Sequence, residues 1–104
     1  MLANQSELLR RGRDFEVAQN RLRAHQIETM IAEFDWICID LGHQIEAEEM
    51  RARIFDTTHF AYPTYAKSAR ERRAKVQQSA EALRNELYRL QFEATGASSG
   101  QFAA

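Results

Sequence analysis

The sequence predicts an all-α fold, an antiparallel two-helix coiled-coil hairpin in which a long first helix extends beyond a shorter second helix. Turn-forming residues are scarce, with 4 Gly and 1 Pro among 104 residues. Apolar residues recur at alternating intervals of three and four, the seam of a left-handed coiled coil. The single proline, Pro63, lies between two such repeats. We expect helices over 6–53 and 64–93, a tip over 54–63, a disordered N-terminus over 1–5 and a flexible tail over 94–104.

The first helix is predicted to begin near Asn4, because Asn4 and Glu7 have the spacing of a capping box. A heptad seam follows, in which Asn20 is the one polar member, and its apolar members are Val17, Ala24, Ile27, Ile31, Phe34, Cys38, Leu41 and Ile45. Residues 34–41 are rich in β-branched and aromatic side chains and could also form a strand. The heptads on both sides of this stretch favour a helix.

The second helix is predicted to follow the turn-forming residues around Asp56 and Pro63. Its seam repeats at intervals of four and three, with members Tyr62, Ala66, Ala69, Arg73, Val76, Ala80, Leu83, Leu87 and Leu90. Folding the chain at the middle of the tip places Ile45 opposite Arg73 and Ile27 opposite Leu90. The second helix then covers the first only down to about residue 26, which leaves apolar side chains uncovered at Leu8, Leu9, Phe15 and Leu22.

Composition and charge argue against several classes of function. The net charge is −1, and residues 27–56 carry eight acidic and two basic side chains, a balance that disfavours non-specific nucleic-acid binding. No apolar run is long enough to span a bilayer. The single cysteine, Cys38, excludes an internal disulfide and a thiolate zinc cluster, and its seam position predicts a buried structural thiol.

Catalytic and metal-binding patterns are also missing from the sequence. The three histidines, His25, His43 and His59, lack the spacing of a helical zinc site. No nucleophile elbow or phosphate-binding glycine loop is present. We therefore expect a protein that is not an enzyme, with no catalytic residues, no metal and no cofactor.

The candidate binding residues lie mostly in and after the tip, where His59, Phe60, Tyr62 and Tyr65 precede a run of arginines. These rings either close the hairpin or form, with Arg72 and Arg73, a site that recognises a protein. Nucleic acid could use the same stacking and phosphate chemistry, although the neighbouring acidic block disfavours it. Arg73 could instead lie along the seam and pair with a glutamate. Trp36 either fills a second contact face or anchors an interface.

Three segments resemble alphaproteobacterial flagellar export proteins of the FliJ type, over roughly residues 8–93. They are IETMIAEF at 27–34, QIEAEE at 44–49 and HFAYPTYAK at 59–67, the last followed by Arg70, Arg72 and Arg73. The resemblance implies a cytoplasmic coiled-coil stalk of type III export, at the periphery of a membrane export apparatus. Such a stalk enters the ring of the export ATPase, touches the export gate and handles escort chaperones.

The resemblance assigns roles only by position along the hairpin. The ring-facing part would be the helix ends, and the tip aromatics would face another component. The helix-end residues are Leu8, Leu9, Phe15, Leu22, Leu90 and Phe92.

The residues themselves leave two alternative functions open. One is a self-associating adaptor, in which two hairpins pair into a dimeric four-helix bundle through Trp36, Ile37 and Ile39. The other is a small helical protein that binds nucleic acid.

Overall fold

The computed structural model describes residues 4–94, which form two α-helices. Helix α1 spans Gln5–Ala52 and helix α2 spans Thr64–Ala94. The predicted helical hairpin with a longer first helix is confirmed, and residues 34–41 are helical. The disordered terminus predicted over 1–5 and the tail predicted over 94–104 lie mostly outside the described residues. Within the described part, Gln5 begins α1 and Ala94 ends α2.

Helix α1 begins at a side-chain cap. The backbone N–H of Glu7 donates a hydrogen bond to Oδ1 of Asn4 at 2.8 Å, which satisfies a donor that has no partner within the helix. The carboxylate of Glu7 lies in the first turn, where the helix dipole favours negative charge. The same carboxylate pairs with Arg10 at 2.8 Å and with Arg11 at 3.3 Å. The Asn4–Glu7 spacing in the sequence therefore marks the helix start.

Helix α1 ends at a residue in the left-handed conformation. Arg53 has a φ of 56°, which turns the chain so that the N–H of Ile54 donates to the carbonyl of Glu49 at 3.3 Å. The tip then continues through a turn centred on Asp56, whose Oδ1 accepts hydrogen bonds from the N–H and the hydroxyl of Thr58 at 2.9 and 2.7 Å. These bonds lower the pKa of the Asp56 carboxyl.

The chain divides into two compact units. Among the described residues the first consists of residues 4–29 with 84–94, and the second is Met30–Leu83. In the first unit Ile27 is fully buried, and Arg23 of α1 forms an ion pair with Glu86 of α2 at 3.1 Å. An apolar groove between the same helices is lined by Val17, Asn20, Arg21, Ala24, Leu90 and Gln91.

The second unit has a core of small and aliphatic side chains. Leu41 and Ile45 of α1 pack with Tyr62, Ala66 and Ala69, and Ile37 and Ile54 lie against this cluster. The two helices approach closely in this unit, since Sγ of Cys38 in α1 lies 4.0 Å from the backbone carbonyl oxygen of Arg73 in α2. Cys38 is half-buried in this seam.

The predicted seams coincide with the least exposed residues of both helices. Apart from Val17, which is 44% exposed, every predicted seam residue of either helix is buried or half-buried. The heptad repeat therefore identifies the contact face of each helix from sequence alone.

The predicted register between the helices is wrong by several residues. Arg73 lies at Cys38 and Gly42, which precede the predicted partner Ile45. Leu90 lines a groove with Val17 and Ala24, so α2 reaches further along α1 than residue 26. The reason is that Tyr62, which precedes α2, already packs beside Glu49. The chain thus reverses direction before the middle of the tip.

Candidate protein-interaction surfaces

The N-terminal part of α1 carries large apolar side chains that remain exposed in the first unit. Leu8, Leu9, Phe15 and Leu22 are 56%, 63%, 65% and 53% exposed. Leu8, Phe15 and Leu22 are seven residues apart, a spacing that places them on one face of the helix. Several large exposed apolar side chains on one helix face are typical of interaction sites in soluble proteins.

Arginines flank this apolar face. Arg10 and Arg11 pair with Glu7, and Arg23 pairs with Glu86, while their side chains stay 45–68% exposed. Exposed pairs of this kind contribute about 0–1 kcal/mol each. Rearranging them to meet a partner is therefore inexpensive, and the face suits a partner that combines apolar and acidic groups.

A second exposed feature is the tip, which presents Phe60. This ring is 97% exposed and stacks on His59 with a centroid distance of 4.7 Å. Hydrogen bonds hold the turn beneath it: His59 N–H donates to the carbonyl of Asp56 at 3.1 Å, and Ala61 N–H donates to His59 Nδ1 at 2.9 Å. Phe60 is thus held on an ordered turn, so docking it would cost little backbone entropy.

Tyr62, predicted to bind a partner, lies in the core instead. It is 9% exposed, and its hydroxyl donates to Oε2 of Glu49 at 2.6 Å. Arg70 completes the cluster, because Nη2 donates to the same carboxylate oxygen and Nε donates to the Tyr62 hydroxyl, both at 2.8 Å. The hydrogen bonds from Tyr62 and Arg70 lower the pKa of Glu49, and burial raises the pKa of Tyr62. This cluster joins the end of α1 to the start of α2.

The remaining predicted residues of α2 divide between the interior and the surface. Arg73 is half-buried, and its Nη1 lies 3.6 Å from where a Cβ on Gly42 would be, so its side chain lies along the seam. Arg72 and Tyr65 are exposed, and the Tyr65 hydroxyl donates to Oε1 of Gln44. Among these three, only Arg72 and Tyr65 are accessible to a partner.

The outer surface of α1 in the second unit carries a further exposed group. Trp36, Ile39 and Met50 are 68%, 50% and 67% exposed. Ile37, which the predicted bundle contact includes, packs on the core instead. Sequence reasoning missed Met50, although Met50 lies two heptads after Trp36 and shares its helix position.

Two other exposed rings were also missed. Phe55 precedes the turn and is 62% exposed, and Tyr88 of α2 is 67% exposed and stacks on Phe92. Phe55 adjoins an Asp-Thr-Thr turn signal, and Tyr88 lies outside the α2 seam repeat. Either feature could have indicated exposure.

Two kinds of feature are absent from residues 4–94. No group of three or more His, Cys, Asp or Glu side chains there could hold a metal ion. No helix of the described part is long and apolar enough to cross a membrane.

The features that remain are surfaces suited to protein contact: an apolar face flanked by arginines, an exposed phenylalanine on an ordered turn, and an apolar outer group around Trp36. Comparisons of the chain with protein-family models, with curated proteins and with solved structures give no match.

Proposed function

We propose that this protein is a non-enzymatic coiled-coil accessory protein of flagellar type III export, with a chaperone-like role in the cytoplasm. Its partners in this proposal are the export ATPase ring, the export gate and escort chaperones. The proposal is supported by the resemblance of residues 27–34, 44–49 and 59–67 to FliJ-type proteins. The observation that carries it is the exposed apolar face of Leu8, Leu9, Phe15 and Leu22.

Burial of this face would supply the binding energy. Each of the four side chains is more than half exposed, so covering one by a partner contributes about 1 kcal/mol. The flanking arginines would favour an acidic rim on the partner and accelerate association. This combination suits a helix that inserts into a ring lined by apolar and acidic groups.

The tip would bind a different component. Phe60 projects from an ordered turn in the second unit, whereas the apolar face belongs to the first unit. Two separate surfaces allow an accessory protein to contact two components of an export apparatus, and we assign the tip to the export gate.

Substitutions on the two surfaces test the proposal. We expect Phe15→Asp to weaken binding to the purified export ATPase of the source bacterium by at least about tenfold, because it places a charge within the apolar face. Phe60→Asp serves as the matched control, since it makes the same change at the tip and should leave ATPase binding unchanged. Biolayer interferometry with immobilised ATPase measures both affinities.

Two results of this experiment would contradict the proposal. One is failure of the wild-type chain to bind the ATPase. The other is equal affinity of the wild-type and Phe15→Asp chains, with circular dichroism showing that both are helical.

The alternative of a self-associating adaptor is favoured by the exposure of Trp36 and Ile39. A dimer that persists at nanomolar concentration would support this alternative, because an interface of that strength would keep the apolar surface permanently covered. Sedimentation velocity over a range of concentrations distinguishes the two.

A further inference from the structure

We propose that two copies of this chain form a weak, reversible antiparallel dimer through the outer face of α1. In this dimer the basic first part of one α1 packs against the acidic later part of the other. The inference goes beyond the proposed function and does not depend on it.

The outer face of α1 is defined by the heptad positions farthest from the seam. In the first unit two of these positions hold Leu8, Arg11, Phe15, Ala18 and Leu22, spaced alternately by three and four, and the third holds Gly12 and Gln19. All seven are exposed. The first unit therefore carries a second 3–4 repeat, on the side of α1 that α2 does not cover.

The second unit continues the same positions of the repeat. They hold Trp36, Ile39, His43, Glu46 and Met50, and all five are exposed. The two sets have the same length and spacing but opposite charge, since the first contains one arginine and the second one glutamate.

An antiparallel alignment centred on Thr29 matches the two sets position by position. The five pairs, each between one copy and the second copy, are Leu8 with Met50, Arg11 with Glu46, Phe15 with His43, Ala18 with Ile39, and Leu22 with Trp36. The arginine meets the glutamate, and the small Ala18 meets the larger Ile39. The pattern of size and charge in one half of α1 is thus complementary to that in the other half.

The surrounding charges favour the same alignment. Residues 10–23 carry five arginines and two acidic residues, whereas residues 35–48 carry four acidic residues and no lysine or arginine. The alignment sets these two stretches against each other, which favours association electrostatically. This complementarity is the reason that we assign the face to a second copy of the chain.

A two-fold axis would pass close to Thr29, so each contact occurs twice, as in an isologous dimer. The Thr29 hydroxyl already donates to the carbonyl of His25 at 3.1 Å and would not be left without a partner at the axis. The exposed Glu28 would lie near its own copy and repel it. This repulsion makes the dimer weak and reversible.

Charge reversal tests the alignment through the pair of Arg11 and Glu46. We expect Arg11→Glu and Glu46→Arg, each alone, to raise the dimer dissociation constant by about tenfold, since each places like charges opposite each other twice. An equimolar mixture of the two variants should form a heterodimer, because opposite charges then meet at both contacts. A chain with both substitutions should regain the wild-type affinity.

Two readouts follow the association. Sedimentation velocity measures mass, and the fluorescence of Trp36, the one tryptophan of the chain, should shift to shorter wavelength as the wild-type concentration rises. The matched controls, Lys75→Glu and Glu71→Arg, make the same reversals at exposed positions of α2. They should leave the dissociation constant unchanged, singly or mixed.

The proposal is overturned if the wild-type chain stays monomeric at the highest soluble concentration. It is equally overturned if single reversals leave the affinity unchanged, or if neither the mixture nor the doubly substituted chain regains it. Circular dichroism verifies that each variant is helical. Arg11→Glu removes the ion pair between Arg11 and Glu7 within α1, whereas Glu46→Arg leaves that pair intact. Because only this chain is present, the outcome is separate from that of the ATPase experiment.

Discussion

Glu49 links the two helices of the second unit through hydrogen bonds from Tyr62 and Arg70. Its side chain is among the least exposed charged groups, with the residue 7% exposed. Both donors point at Oε2 of the carboxylate, at 2.6 and 2.8 Å. Within the described part of the chain, no buried side-chain nitrogen or oxygen lacks a hydrogen-bond partner. The cluster is therefore fully satisfied, which a buried carboxylate requires.

The ionisation of Glu49 predicts how stability depends on pH. Tyr62 and Arg70 hold its pKa below the ordinary value of 4.5, so the unfolded chain binds this proton more readily than the folded chain. The resulting stabilisation is present above about pH 4.5 and is lost as the pH falls through the lowered pKa. We expect Glu49→Gln to unfold at lower urea concentration than the wild type at neutral pH.

The comparison of pH profiles isolates this residue from the other carboxylates. Urea unfolding from neutral pH to about pH 3 should show a smaller loss of stability for Glu49→Gln than for the wild type. Glu71→Gln, at an exposed position of α2, serves as the control and should follow the wild-type profile. Parallel profiles for the wild type and Glu49→Gln would show that the bonds to Tyr62 and Arg70 do not shift this ionisation.

At the scale of the helices, the heptad repeat explains why the contact faces were predictable. Ile27, Leu41 and Ile45 are buried because α2 packs against the seam that the repeat defines. The start of α1 was equally predictable, since the Asn4 cap acts through a local hydrogen bond. Both features depend on residues close together in sequence.

The register between the helices was not predictable from the same repeats, because every heptad offers an equivalent seam. It is set by the tip, where Arg53 takes a φ of 56° and Tyr62 packs beside Glu49. A positive φ at an arginine has no signal in the sequence. The pairing of Arg73 with Gly42 rather than Ile45 follows from this local geometry.

A substitution within α1 tests the packing at that point. Glycine inside a helix costs roughly 0.5–1 kcal/mol relative to alanine, and a Cβ at Gly42 would lie 3.6 Å from Nη1 of Arg73, an ordinary contact. We therefore expect Gly42→Ala to raise the free energy of unfolding by about that amount, measured by urea denaturation. A loss of stability would show that Arg73 packs too closely against the backbone of Gly42 to admit a methyl group.

For the molecule as a whole, the candidate surfaces could be predicted only in part. The exposure of Phe15 and Leu22 could be predicted because they occupy a heptad position different from those of the seam. Composition does not show which of the four tip rings are exposed. Phe60 and Tyr62 lie two residues apart, yet Phe60 is exposed and Tyr62 is buried. Tyr62 continues the α2 seam and is buried, whereas Phe60 lies outside the repeat and projects from the turn.

The proposed dimer and the proposed ATPase contact use the same residues, Phe15 and Leu22 among them. The two interactions therefore compete, and the dimer would cover the apolar face until a partner displaces the second copy. The tip takes no part in the dimer alignment.

Hydrogen–deuterium exchange of the chain with and without the export ATPase, at concentrations where the free chain is monomeric, tests whether residues 8–22 form the ATPase-binding surface. We expect amides of residues 8–22 to exchange more slowly in the complex, because a partner would cover this apolar face and suppress local opening of the helix. Amides around the Glu49–Tyr62–Arg70 cluster should exchange at unchanged rates. Unchanged exchange over residues 8–22, with protection confined to other parts of the chain, would rule out this face as the ATPase contact.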